Sequence, residues 1–255
     1  MKSSIKKVAN SKIGVFLRNM FNFKPLAINI NNIKNFHSIS DAFLWRTDSR
    51  FKTSFVFTDL LKFYFDDLNS SVEILFFDKN YKFLKKLNLE ITDLSNEILI
   101  DDNFFDPKLE DYGIFYIFHN CNKNINESIR NSCYLGFSKN ENTYSFVHGN
   151  VPVAFRKYED KKIQNGIVEN SIFMNQTYKI QNYFEEYDHS EVFINNPTKR
   201  KIYFLLNKNS YSLSPSCSII LDISSQKTIK IVSNCMLLRP IIFNYKNGFF
   251  DVHHA

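Results

Sequence analysis

The sequence predicts a mainly β protein: two tandem antiparallel β-sandwich units, jelly-roll-like, behind a short basic N-terminal helix. Three observations predict it. Past residue 42, apolar and aromatic runs of four to eight residues alternate with clusters of Asn, Asp, Ser and Lys. The chain holds 27 Phe and 13 Tyr but only 6 Gly, so its turns fall to Asn, Asp and Ser, which bond their own backbone and tolerate left-handed dihedrals. Segments of the first half also recur, in the same order, in the second.

The N-terminal element comes first. Residues 1–40 contain Lys2, Lys6, Lys7, Lys12, Arg18, Lys24 and Lys34 and no Asp or Glu. Within "IKKVANSKIGVFLRNMFNF", Ile5, Val8, Val15, Phe16 and Met20 share one helical face. Such a segment suits an anionic membrane surface, with residues 1–24 in contact, or a targeting role; the alternative is a solvated terminus. Its uncharged run "IGVFL" is too short for a secretory signal, and no stretch approaches the roughly 18 apolar residues of a membrane-crossing helix. A cytoplasmic protein, peripheral at the inner membrane, is the expectation.

Strands follow at "SFVFT", "SVEILFF", "NEILI", "YGIFYIF", "SCYLGF" and "YSFVHG", and then at "EVFI", "KIYFLL", "SIILDI", "TIKIVS", "RPIIF" and "FFDVHH". All are rich in Ile, Val, Phe and Tyr, the residues that fit a half-buried pleated surface. "FTDLLKFYFDDL" is the one later helix candidate. "SVEILFFD" from Ser71 lies over "SEVFINNP" from Ser190, "SNEILID" from Ser95 over "SCSIILD" from Ser216, and "FSKNENTYSFVHG" from Phe137 over "FNYKNGFFDVHH" from Phe243. Three matches in one order predict repeats of roughly 100 residues: a basic segment at 1–42, a first sandwich at 43–150 and a second at 151–255. Each repeat then ends in Val-His, Val147-His148 and Val252-His253. Convergence of ordinary hairpins is the alternative.

Several chemistries lack their residues. The six glycines are isolated and form no GxGxxG, GxxxxGK[ST] or GxSxG, which removes dinucleotide, P-loop and α/β-hydrolase sites. Cys121, Cys133, Cys217 and Cys235 contain no CxxC pair and read as reduced thiols. The formal charge of +6 is spread along the chain and interrupted by acids, a solvated surface more than a nucleic-acid footprint. Asp66-Asp67 and Asp101-Asp102 read as turn caps before glycosidase pairs. One metal reading survives: His119, His148 and His253, with Asp251, meeting at strand ends to hold one divalent transition metal on a cupin-like fold. Otherwise these are hydrogen-bonded strand-end histidines, and no cofactor is expected.

The aromatics point to binding. "FLWRTDSRF" sets Trp45, the only Trp, beside Arg46, Asp48 and Arg50, and Tyr134, Tyr144, Tyr158, Tyr178, Tyr183 and Tyr187 fall near turns. Flat rings among Asn, Asp and Arg suit sugars. Trp45, Arg46, Asp48, Arg50 and Tyr144 are therefore the candidate ligand-binding residues. The competing reading puts Trp45 in the first core, with Arg46 and Asp48 paired at its edge.

Between Glu191 and Tyr245, "NNP", "SLSPSCSIILDI", "TIKIVSNC" and "LRPIIF" resemble the β-sandwich of sensory-rhodopsin-transducer-type proteins. That resemblance covers about a fifth of the chain. It implies a jelly-roll-like sandwich that binds ligands or partners, often as an oligomer, with no catalytic residues. The basic N-terminus ahead of an aromatic-rich body is also similar to proteins of bacterial surface-glycan clusters. The functional expectation is a non-catalytic binding or scaffold protein for glycans or glycan-processing proteins, possible as a homo-oligomer; the alternative is the metal-dependent enzyme.

Overall fold

The computed structural model describes residues 8, 11–20, 38–91, 93–121, 125, 127–130, 133–140, 143–157, 162–171, 175–182, 186–224 and 228–255. Helix α1 (Lys12–Met20) is followed by β1 (Ser38–Asp41), β2 (Phe43–Arg46), β3 (Lys52–Thr58), helix α2 (Leu60–Phe65), β4 (Ser71–Asp78), β5 (Phe83–Glu90), β6 (Ser95–Ile100), β7 (Tyr112–Asn120), β8 (Ile129–Arg130), β9 (Tyr134–Asn140) and β10 (Thr143–His148). The second half holds β11 (Pro152–Arg156), β12 (Gln164–Asn165), β13 (Gln176–Asn182), β14 (His189–Asn195), β15 (Ile202–Leu206), β16 (Asn209–Leu213), β17 (Ser218–Asp222), β18 (Thr228–Ser233), β19 (Ile241–Lys246) and β20 (Phe249–His254).

Both helices start on a side-chain cap. Ser11 Oγ accepts from the Gly14 N–H at 3.1 Å ahead of α1. Asp59 accepts from the Leu61 and Lys62 N–H groups at 3.1 and 3.0 Å ahead of α2, which satisfies donors a helix start leaves open. Asp66 ends α2 in the left-handed region, at φ 51°. No described helix is long and apolar enough to cross a membrane.

The strands form two units of the same design. The first has sheets in the orders β2-β7-β4-β5 and β10-β9-β3-β6; the second has β13-β18-β15-β16 and β17-β14-β19-β20. Numbered along the chain within each unit, and leaving β8 aside, the orders are identical: 1-6-3-4 on one sheet and 5-2-7-8 on the other. Every ladder within them is antiparallel.

This topology corrects one of the three sequence matches. The counterpart of β4, which starts at Ser71, is β15, and the counterpart of β14 is β3. β6 with β17, and the β9–β10 hairpin with the β19–β20 hairpin, do occupy equivalent places. The Val-His match keeps its face: Val147 and Val252 are both buried in the core, so His148 and His253, one residue further, point away from it. His148 stands opposite Tyr134 and His253 opposite Ile242.

A fifth sheet, β12-β11-β1-β8, lies outside both units. β1 sits inside the stretch read as the basic N-terminal segment, yet pairs with β11 from beyond residue 150. It also extends β2 along β7, where Ser40 and Ser38 hydroxyls accept from the Ile117 and His119 N–H groups, both at 2.9 Å. Those donors lie past the end of β2 and would otherwise be buried without partners. Glu73 of β4 takes ion pairs from Arg156 of β11 and from Lys86, tying this sheet to the first unit.

The first core is aromatic. Phe55 meets Phe43 and Phe115 at ring distances of 5.0 and 4.7 Å, joining the two sheets. Each fully buried ring contributes roughly 1.5–3 kcal/mol of transfer free energy. One continuous apolar core runs through both units. Their last strands stand side by side, with the Val252 N–H donating to Ser145 Oγ at 2.9 Å.

Candidate functional site

The seam between the units is built around Arg46, at the end of β2. It is fully buried, and its guanidinium reaches three ways. Nε and Nη2 donate to the two Asp48 oxygens at 2.9 and 2.7 Å, and Nη1 donates to Glu191 Oε2 at 2.9 Å. Tyr245 gives its hydroxyl hydrogen to the same Glu191 oxygen at 2.7 Å. The Phe51 and Phe243 rings, T-shaped to each other, lie 4.0 and 4.7 Å from the guanidinium carbon on adjacent sides.

The electrostatics follow from this packing. Burial works against the Arg46 charge, but Asp48 and Glu191 hold it above its ordinary pKa. Burial likewise opposes ionisation of Glu191, and Arg46 overcomes it, so this carboxyl sits below its usual range. The Lys139 ammonium rests on the Phe51 and Tyr245 rings at 4.5 and 4.7 Å; burial and then Arg46 lower its pKa. His189 joins the rim, its Nε2 3.5 Å from Glu191 and its Nδ1 2.9 Å from Ser224 Oγ. Nothing in the sequence joins Arg46 to Glu191, which lie 145 residues apart.

The predicted ligand-binding residues scatter. Trp45 is corrected outright: it is fully buried, packs on Phe105 at 4.6 Å and donates from its indole to the Phe77 carbonyl at 2.9 Å. It has no face to offer a sugar. Arg46 and Asp48 are spent on each other and on the seam, whereas Arg50 is exposed, with φ 67°, at the end of the turn Asp48–Arg50. Tyr144 lies half-buried on another surface. Tyr158, Tyr183 and His37 fall outside the described residues.

The three histidines of the metal reading do not assemble. His119 is buried in mid-sheet on β7, and burial pulls its pKa down to about 4. His148 is exposed against the Tyr134 ring, and His253 bonds Asp251 at 3.0 Å. Among the described residues no three His, Cys, Asp or Glu side chains stand close enough to share an ion. The carboxylate pairs act as turn caps: Asp101 accepts from the Asn103 N–H at 3.0 Å, and Asp67 from the Asn69 N–H at 3.3 Å. All four cysteines are free thiols, and burial pushes Cys235 up to about 12, so it is no nucleophile.

Open surfaces elsewhere carry aromatic rings. On the outer face of β10-β9-β3-β6, Phe146 and Tyr134 are about half exposed near Tyr144, with Leu99 at the far edge of the same sheet. Phe146 lies over Gly136, where an added Cβ would meet its ring at 2.6 Å. The outer face of the β15–β16 hairpin is concave. A hollow of about 300 Å³ is lined by Asn175, Tyr203, Leu205, Ser210, Tyr211 and Ser212. Cross-strand pairing puts Tyr203 beside Ser212 and Leu205 beside Ser210, and Tyr203 is 59% exposed. No sequence motif marks this hollow; the only signal is polar–apolar alternation in "NSYSL". Compared with known protein families and with curated proteins, the chain matches none.

Proposed function

We propose that this protein is a non-catalytic binding or scaffold protein whose β15–β16 hollow takes a glycan. The hollow carries the reading. It offers one accessible tyrosine ring for C–H stacking, two serine hydroxyls and an asparagine amide for sugar hydroxyls, and the concavity small ligands need. The Tyr134/Phe146 face supplies a separate apolar surface for a glycan-processing protein. Helix α1 supports placement at the inner membrane surface: Ile13, Leu17 and Met20 are exposed on a segment without acids.

A glycan array with the intact protein and Tyr203→Ala tests the proposal. Binding to a defined set of sugars, lost in the variant, is the expected result. Binding that survives Tyr203→Ala moves the site elsewhere, and no binding to any sugar leaves the scaffold role alone.

A further inference from the structure

Where the two units meet at their last strands, a second cluster gathers around the turn Gly149–Asn150. Arg130 clamps the buried Asp41 carboxylate, Nε to Oδ1 at 2.7 Å and Nη2 to Oδ2 at 2.8 Å. Its Nη2 also reaches the Asn150 carbonyl at 3.3 Å. From the other unit, Arg239 Nη1 reaches the Gly149 and Asn150 carbonyls, both at 3.4 Å. Two guanidinium groups thus share one backbone oxygen.

The charges do not balance. Arg130 and Arg239 bring two positive charges, and Asp41 supplies one negative charge that Arg130 already holds in a bidentate pair. Among the described residues no carboxylate makes an ion pair with Arg239, although Asp41 feels its charge. His254 stands at the same joint: its Nε2 bonds the His148 carbonyl at 3.0 Å, while its buried Nδ1 has no partner. Both arginines are partly open to solvent, so their remaining N–H donors are accessible. A guanidinium fork matches the oxygen spacing of a phosphate group and is weakly hydrated, so such a pair favours a tetrahedral dianion.

The geometry points to an oxyanion site formed by Arg239 and Arg130 at the seam, taking a phosphate group. It is independent of the glycan hollow, since it lies on other strands and rests on other residues.

Titration of the intact protein with inorganic phosphate, followed by backbone amide NMR, tests this. Saturable shifts at Gly149, Asn150 and His254 are expected. Arg239→Gln should weaken them roughly tenfold or more, the loss of a charge-assisted hydrogen bond, while Arg200→Gln, at an exposed arginine elsewhere, leaves them intact. Acetate at equal ionic strength should shift the same amides more weakly. An unaltered phosphate affinity in Arg239→Gln overturns the site, as do shifts that fail to saturate. If Arg239→Gln loses its native amide spectrum, Arg239→Lys takes its place: weaker phosphate binding at unchanged fold supports the site, and unchanged binding overturns it.

Discussion

His254, at the end of β20, donates from Nε2 to the main-chain oxygen of His148, at the end of the equivalent strand β10, across 3.0 Å. A carbonyl only accepts, so the proton sits on Nε2. The two eight-strand units therefore meet at the ends of equivalent strands. The paired histidines are part of the joint, and the contact needs neither a metal nor a catalytic partner.

Arg46 should matter most at that joint. Arg46→Ala leaves Asp48 and Glu191 without their cation beside a buried aromatic stack. Breaking a buried pair from one side costs roughly 3–5 kcal/mol, and urea unfolding should show a loss of that order. Tyr245→Phe, which removes one hydrogen bond, should cost about 1 kcal/mol.

Acid should destabilise the protein in two stages. The folded pKa of His119 is lowered to about 4, whereas an unfolded histidine titrates at about 6.5. Between those values the unfolded chain binds a proton that the folded chain refuses, so stability falls as pH falls. Glu191 is also lowered, so its contribution is present above its unfolded value of about 4.3 and is lost below it. Unfolding followed from pH 7 to pH 4 should therefore slope downward, and His119→Gln should flatten the upper part of that slope.

Trp45 gives an optical check of its corrected place. Its emission should be blue-shifted and resistant to iodide, and it should stay unchanged when a bound sugar is added. Trp45→Ala should cost roughly 3–5 kcal/mol, as for other large core side chains.

Vesicles test the N-terminal helix. The intact protein should co-sediment with vesicles containing anionic lipid and remain free of neutral ones. Ile13→Glu with Leu17→Glu should abolish sedimentation without altering the unfolding midpoint, because both side chains are exposed.

Much of this fold was legible because interior strands announce themselves. β4, β7 and β19 are apolar over most of their length since both of their faces are covered. The edge strands β5, β13 and β16 read "FLKKLNLE", "QTYKIQN" and "NSYSL"; one face and one edge meet water, so polar residues hide them. The same degeneracy misaligned "SVEILFFD" with "SEVFINNP". Ser, Val, Ile and Phe recur in both β4 and β14, and only hydrogen-bond partners show that β14 answers to β3 and not to β4. The candidate site was the least legible part. Burial of Trp45 depends on a partner at Phe77 and a lid at Phe105, and the hollow over Tyr203 arises from cross-strand neighbours, neither of which a linear pattern encodes.

The most direct measurement is residue-resolved NMR of the protein titrated with its best array sugar. Shifts confined to Tyr203, Leu205, Ser210, Tyr211 and Ser212 are predicted, with the seam around Arg46 and Glu191 silent. Shifts centred on that seam, or spread over both units without a focus at the β15–β16 hairpin, would contradict it.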